Sequence, residues 1–164
     1  MYNFNQEAYE NLEPVDGKGK AELAKADVLH VDETSINKNG DRYWLHSASN
    51  GRWTYFFPHE KRGREAMDSI GILPQFRGIL CHDHLKSYYT YTTCTHALCN
   101  AHHLRELVGV WEEDNKQQWA KEMKTLLEDI NRATNDAGGM LGAGESEKYR
   151  QRYRAILQNA EAES

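Results

Sequence analysis

The sequence predicts an α/β fold in which a mixed β-sheet is followed by a segment made only of helices. Two observations support this prediction. Short β-prone runs separated by Asn-Gly turns fill residues 28–57, and apolar residues recur at helical spacing from residue 101 onward. We therefore divide the chain into a leader or tether (1–26), a sheet-containing core (27–100) and a helical segment (101–164).

The meander at the start of the core is the clearest local signal. A first strand over 28–31 ends at Asp32, and Asn39-Gly40 is a strong hairpin signal before a second strand over 42–48. Asn50-Gly51 turns the chain again into a third strand over 53–57, which Pro58 is expected to stop. The leader before this meander is polar and contains Pro14 and two glycines, so we expect a loop as far as Lys20.

Residues 61–99 predict alternating helices and strands. A helix over 61–70 should end at Gly71, and the apolar run 78–83 suits a buried parallel strand. A short helix over 85–91 and a strand over 95–99 follow. Three helical stripes then occupy the last third of the chain: 104–111, 119–130 and 149–157.

Composition excludes several classes of protein. No run of 18 apolar residues occurs, which excludes a membrane-spanning helix, and the polar, acidic first ten residues do not resemble a secretory signal. Three cysteines, an odd number, argue against a disulfide scaffold and for a reducing, cytoplasmic location.

Charge is distributed unevenly along the chain. Residues 1–34 carry 3 basic and 8 acidic side chains (3 − 8 = −5), residues 35–110 carry 9 and 6 (+3), and residues 111–164 carry 8 and 11 (−3). The basic middle third permits a polyanionic partner. Lys38, Lys61, Arg62 and Arg64 could contact phosphates there, although exposed basic residues are ordinary on any protein surface.

Two aspartates stand at the ends of predicted strands. If the first and fourth strands are neighbours in the sheet, Asp32 and Asp83 converge at one edge. Paired carboxylates suit magnesium or manganese, and two such ions can assist in-line displacement at a phosphodiester. The alternative is that each aspartate only caps a loop or a helix.

Histidines and cysteines cluster just after Asp83. Cys99-x-x-His102 has a spacing compatible with zinc, but structural zinc sites usually have two such pairs, so zinc is the weaker interpretation. We interpret the cluster as packing around, or orienting, the acidic site.

At this point the motifs resemble the transposases of the insertion sequence 66 family. The similarity runs from about Ala26 to Ala120 and rests on six strings: 30–34, 43–46, 61–63, 70–74, 82–88 and 96–107. The resemblance implies a DDE transposase with a ribonuclease H-like catalytic domain, whose partners are the DNA of the element ends and of the target.

The resemblance also implies roles for individual residues. Asp32 matches the first catalytic and metal-binding acid and Asp83 matches the second. Cys99 and His102 match a Cys-x-x-His signature, which Arg105 follows. The implied mechanism is metal-assisted hydrolysis at the element end, after which the freed 3′ hydroxyl attacks target DNA.

One expected part is missing from the sequence. The family's third acid, a glutamate in an Asn-Asn-x-x-Glu-Arg string, does not occur, although Glu106, Glu112 or Glu113 could substitute for it. We expect a core truncated within a helical insertion and inactive by itself, whereas the parent protein is an enzyme. The alternative is a non-catalytic module that forms homo-oligomers through its helical stripes.

Overall fold

The computed structural model describes residues 3–113 and 117–163. The chain separates into two compact units, which we call the sheet unit (as far as Cys99) and the helical unit (from Asn100). This division falls beside the predicted boundary between 100 and 101; the functional labels of the predicted domains stay predictions.

The sheet unit contains a five-stranded mixed sheet with the order β3-β2-β1-β4-β5. Its strands are β1 (Val28–Lys38), β2 (Asp41–Ser49), β3 (Thr54–His59), β4 (Ile79–His82) and β5 (Thr95–Leu98). The first three strands form an antiparallel meander, and β4 and β5 continue the sheet parallel to β1. The predicted α/β, ribonuclease H-like fold is therefore confirmed.

The β1–β2 hairpin forms at the predicted Asn-Gly turn. Asn39 and Gly40 both have positive φ (55° and 95°), as a type I′ turn requires, and Lys38 pairs with Asp41. The prediction that the first strand ends at Asp32 was wrong. Because β2 pairs with β1 along its whole length, β1 continues for six residues beyond Asp32.

One prediction about β3 also needs correction. Pro58 does not stop the strand but lies inside it, paired with Leu45, because β3 is an edge strand and an edge position tolerates the missing N–H. The predicted turn at Asn50-Gly51 is present as a four-residue loop, since Ser49 pairs with Thr54. The Asn50 side chain closes it by accepting hydrogen bonds from two backbone N–H groups of the loop.

The predicted loop at the start of the chain is instead a helix, α1 (Phe4–Ala24). Asn3 caps its N-terminus by accepting from the N–H of Gln6. Leu23 near its C-terminus is completely buried in the core of the sheet unit. Pro14 removes one backbone donor, but the cap and this packing hold the helix around it. Whether α1 serves as a tether stays a prediction.

The connections after β3 follow the predicted order with shorter elements. α2 (Arg64–Ile70) begins three residues later than predicted and ends at Gly71, which has the left-handed φ of 81° expected of a C-terminal cap. A 3₁₀ turn at Tyr88–Thr90 replaces the predicted helix over 85–91. Buried apolar residues from β1, α2 and β4, including Leu29, Met67 and Leu80, form the core.

The helical unit consists of α3 (Asn100–Glu113), α4 (Gln118–Asp136) and α5 (Ala143–Glu163). The predicted stripes supply its separate core of buried side chains: Leu107, Ala120, Met123, Leu126 and Ile156. No described helix combines the length and the apolar character needed to cross a bilayer.

Candidate functional site

Asp32 and Asp83 converge because of the register between β1 and β4. Val28 pairs with Ile79 and His30 pairs with Cys81, which is a constant offset of 51 positions. Asp32 and Asp83 have the same offset and lie two positions beyond the last pair, on one face of the sheet. Their carboxylates approach within 4.8 Å of one another. The predicted convergence of the two acids is therefore present in the structure.

Local hydrogen bonds aim these carboxylates. Asp83 Oδ1 accepts from the N–H of Leu85 at 3.0 Å, and the intervening His84 has a left-handed φ of 76°, so the chain turns sharply after β4. Asp32 Oδ1 accepts from the N–H of Glu33 at 2.9 Å. Asp83 thus does cap a loop, and this role is compatible with a second one because a carboxylate has further lone pairs.

The acid pair fits a divalent cation by its donor chemistry. Both groups offer carboxylate oxygens, the ligands that hard ions prefer. Asp32 is exposed and Asp83 is half-buried, so water can fill other coordination positions. Among residues 3–99 no third carboxylate joins this pair within the same distance.

Glu33 is the residue that the sequence analysis did not single out. Its side chain is completely buried and accepts hydrogen bonds from Arg62 Nε at 2.9 Å and from the Tyr88 hydroxyl at 2.6 Å. Burial raises the pKa of Glu33, while the bonds from Tyr88 and Arg62 oppose that shift. The alternating pattern of β1 could have revealed it, since Glu33 follows Leu29 and Val31 on the buried face.

Behind Asp83 lies a chain of hydrogen-bonded histidines. His96 Nε2 lies 3.0 Å from the Tyr91 carbonyl, which can only accept, so this nitrogen carries the proton. His96 Nδ1 therefore accepts from His82 Nε2 at 3.0 Å, and His82 Nδ1 accepts from the N–H of His84. In this arrangement His82 carries its proton on Nε2 only.

The environment of His82 favours that neutral form. Burial, then the neighbouring His96, lower the pKa of His82 to about 4, against a weaker opposing effect of Asp83. The histidine chain links the last residue of β4 to β5, next to Asp83 in sequence. The orienting role of this cluster stays a prediction.

The Cys-x-x-His signature straddles the boundary between the two units. Cys99 directly follows β5, and its N–H donates to the His82 carbonyl at 2.9 Å. Burial and the nearby Cys99 raise the pKa of Cys81. His102 is half-buried and Arg105 is exposed, both on α3 of the helical unit.

The glutamates considered as substitutes for a third acid also lie on α3. Glu106 pairs with His103 at 3.6 Å, Glu112 is exposed, and the side chain of Glu113 lies outside the described residues.

The four basic residues predicted to contact phosphates differ in their surroundings. Arg62 is held by Glu33 and lies over the Trp44 ring at 4.7 Å. Arg64 pairs with Asp68 at 3.2 Å, and Lys38 lies over the Tyr43 ring at 4.6 Å. The exposed Lys61 makes no ion pair with any residue in the described ranges.

No curated protein matches the chain. Among solved structures, a chain in the cryo-EM structure of the simian T-cell lymphotropic virus intasome in complex with PP2A regulatory subunit B56 gamma is similar at 11% identity and a TM-score of 0.36. That match covers 74% of this chain but only 46% of the viral one, and it is too distant to support a functional assignment.

The family comparison is far more extensive. The model of the family described as "Transposase IS66 family" matches residues 1–163, nearly the whole chain. The match covers both units, so the helices are as much a part of the family pattern as the sheet is. The chain belongs to the IS66 family of transposases.

Proposed function

We propose that this chain supplies part of the catalytic centre for transposition of an insertion sequence, by metal-dependent DNA strand cleavage and strand transfer. The observation that carries the proposal is the convergence of Asp32 and Asp83 at matched positions of parallel strands. Family membership supports DNA as the partner and the cytoplasm as the place of action.

Asp32 and Asp83 would hold magnesium or manganese at the sheet edge. When bound, such ions polarise a phosphodiester and stabilise the attacking and leaving oxygens. Asp32 is held by the pairing of β1 with β2 at this position, and the turn at His84 aims Asp83 at it. With two carboxylates the site binds its ion weakly, and we do not expect strand transfer from this chain alone.

Basic residues near β2 and α2 would contact the DNA backbone. Lys61 is exposed and free of ion pairs among the described residues, so it is the best candidate, and Lys38 and Arg64 are further candidates. Arg62 would contribute less, because Glu33 already holds its guanidinium.

Calorimetric titration with Mn²⁺ tests the proposal. We expect the wild-type chain to bind Mn²⁺, and Asp32→Asn and Asp83→Asn each to abolish most of that binding, because each removes a charged ligand of the same ion. Asp41→Asn is the matched control, an exposed acid of the same sheet that lies at the hairpin and should leave binding unchanged. Equal binding by all four proteins would refute the proposal.

A second candidate function is a homo-oligomerisation module in the helical unit. Tyr153 and Leu157 on α5 are 43% and 41% exposed and lie four positions apart, so one face of this helix presents two large apolar side chains to solvent. Light scattering after size-exclusion chromatography tests it. A dimer that persists without metal or DNA and is lost in Tyr153→Ser/Leu157→Ser supports this function, and a monomer excludes it.

A further inference from the structure

The backbone ladder between β1 and β4 ends before it reaches the acid pair. Its last pair is His30 with Cys81, whereas Asp32 and Asp83 lie two positions further along. Two carboxylates within 4.8 Å of one another repel, so something other than this ladder must hold them together when no cation is bound.

Beyond the last pair of the ladder, the hydrogen bond between Tyr88 and Glu33 links β1 to the loop that follows β4. Glu33 adjoins Asp32 in β1, and Tyr88 lies in the 3₁₀ turn at the end of the loop that begins with Asp83. The hydroxyl donates to Glu33 Oε2 at 2.6 Å, and both side chains are almost completely buried. A hydrogen bond to a charged acceptor in a dry environment is among the strong ones.

Arg62 fixes the other oxygen of the same carboxylate. Its guanidinium donates to Glu33 Oε1 and is itself held over the Trp44 ring of β2. Glu33 therefore cannot rotate away from Tyr88 without breaking an ion pair as well. The buried face of β1 is in this way tied to the loop that carries Asp83.

We propose that Glu33 and Tyr88 form a positioning clamp that holds Asp32 and Asp83 at the separation needed to bind a divalent cation. This inference rests on the proposed function of the acid pair. The clamp lies on the opposite face of β1 from Asp32, so neither Glu33 nor Tyr88 touches the cation; they act by limiting how far the two aspartates separate.

A pair of tyrosine variants tests the clamp. Tyr88→Phe removes the hydroxyl that bonds Glu33, and Tyr91→Phe removes a hydroxyl that bonds Asp68 at 2.7 Å. Tyr91 is the matched control because it is also buried and also donates to a carboxylate, that of Asp68 on α2, which does not adjoin the acid pair in β1 or after β4. We expect similar decreases in melting temperature from the two variants. Mn²⁺ affinity should fall about tenfold in Tyr88→Phe alone.

A double variant separates the clamp from a general loss of stability. Glu33→Gln weakens the same contact from the other side, so Glu33→Gln/Tyr88→Phe should lose no more Mn²⁺ affinity than the larger single loss. Additive losses in the double variant would overturn the clamp, as would equal Mn²⁺ affinities of Tyr88→Phe and Tyr91→Phe.

Comparison of the wild-type chain with its variants shows which of the two proposals fails. Mn²⁺ binding that depends on Asp32 and Asp83 but not on Tyr88 overturns the clamp and leaves the proposed function standing. If the wild-type chain binds no Mn²⁺, both proposals fail together.

Discussion

The two units of this transposase-family chain bury different kinds of side chain. The sheet unit buries three polar residues, Glu33, His46 and His82, within its apolar core. Among the described residues of the helical unit, every buried core side chain is apolar, and the charges form ion pairs on the surface, such as Lys124 with Glu128.

This difference coincides with the position of the proposed site. A buried polar group costs free energy unless hydrogen bonds compensate, so a fold built only for stability has little reason to contain three of them. Two of the three, Glu33 and His82, directly adjoin the converging aspartates in sequence. Among the residues that the structure describes, the helical unit contains no comparably buried polar residue.

The largest expected effect comes from the two apolar cores. Leu80→Ala in the sheet unit and Leu126→Ala in the helical unit each remove a completely buried side chain, and each should lower the free energy of unfolding by about 2–5 kcal/mol. Hydrogen exchange should locate the loss in β1 and β4 for Leu80→Ala and in α3–α5 for Leu126→Ala. If Leu126→Ala reduced hydrogen-exchange protection in the strands as much as in the helices, the two cores would unfold together. That result would contradict the comparison of two separate units.

A smaller effect is expected from His46, a buried histidine of the sheet unit, on the pH dependence of the free energy of unfolding. Burial lowers the pKa of His46 below its ordinary 6.5, against the bond from its ring to the Lys61 carbonyl. The His46 ring is therefore protonated more readily in the unfolded chain than in the folded one. Its contribution to the free energy of unfolding is complete above about pH 6.5 and decreases as the pH falls below that value.

Denaturation of the metal-free protein at about pH 7.5 and about pH 5 measures this dependence. His46→Gln keeps a donor for the Lys61 carbonyl but cannot titrate, so the difference between the two conditions should shrink. An unchanged difference in His46→Gln would show that His46 does not contribute to the pH dependence.

The smallest expected effect concerns the surface of the helical unit. Lys124 and Glu128 form an i,i+4 pair at 2.6 Å, but both side chains are at least a third exposed. Lys124→Ala should change the free energy of unfolding by only about 0.5 kcal/mol, because solvent screens such pairs. Urea denaturation with and without added salt checks this; a loss above about 1 kcal/mol would show that charge stabilises this unit more than its exposure suggests.

Local patterns predicted much of the sheet. The type I′ turn at Asn39-Gly40, the left-handed cap at Gly71 and the parallel strand before Asp83 are short-range features, and all three are present. The prediction failed where a distant partner decided the outcome. β1 passes Asp32 because β2 pairs with it, and α1 forms where a loop was expected because Leu23 packs into the core of the sheet unit.

The same division holds for the candidate site. Asp32 and Asp83 could be identified from their positions after apolar runs, whereas the alternation along β1 indicates that Glu33 faces inward but not what it contacts. Its importance depends on Tyr88, which is 55 positions away, and on Arg62, which follows β3. A charged residue in a strand is usually solvated, but this one is buried and bonded to Tyr88 of the loop after β4 and to Arg62.

By itself the sequence determined the turn chemistry, the helical periodicity and the placing of acids after apolar runs, because these depend on residues a few positions apart. Only the tertiary structure decided the 51-position register that aligns Asp32 with Asp83 and the burial of Glu33 behind them. Register and burial depend on pairing and packing between strands that are far apart along the chain, so no short stretch of sequence determines them.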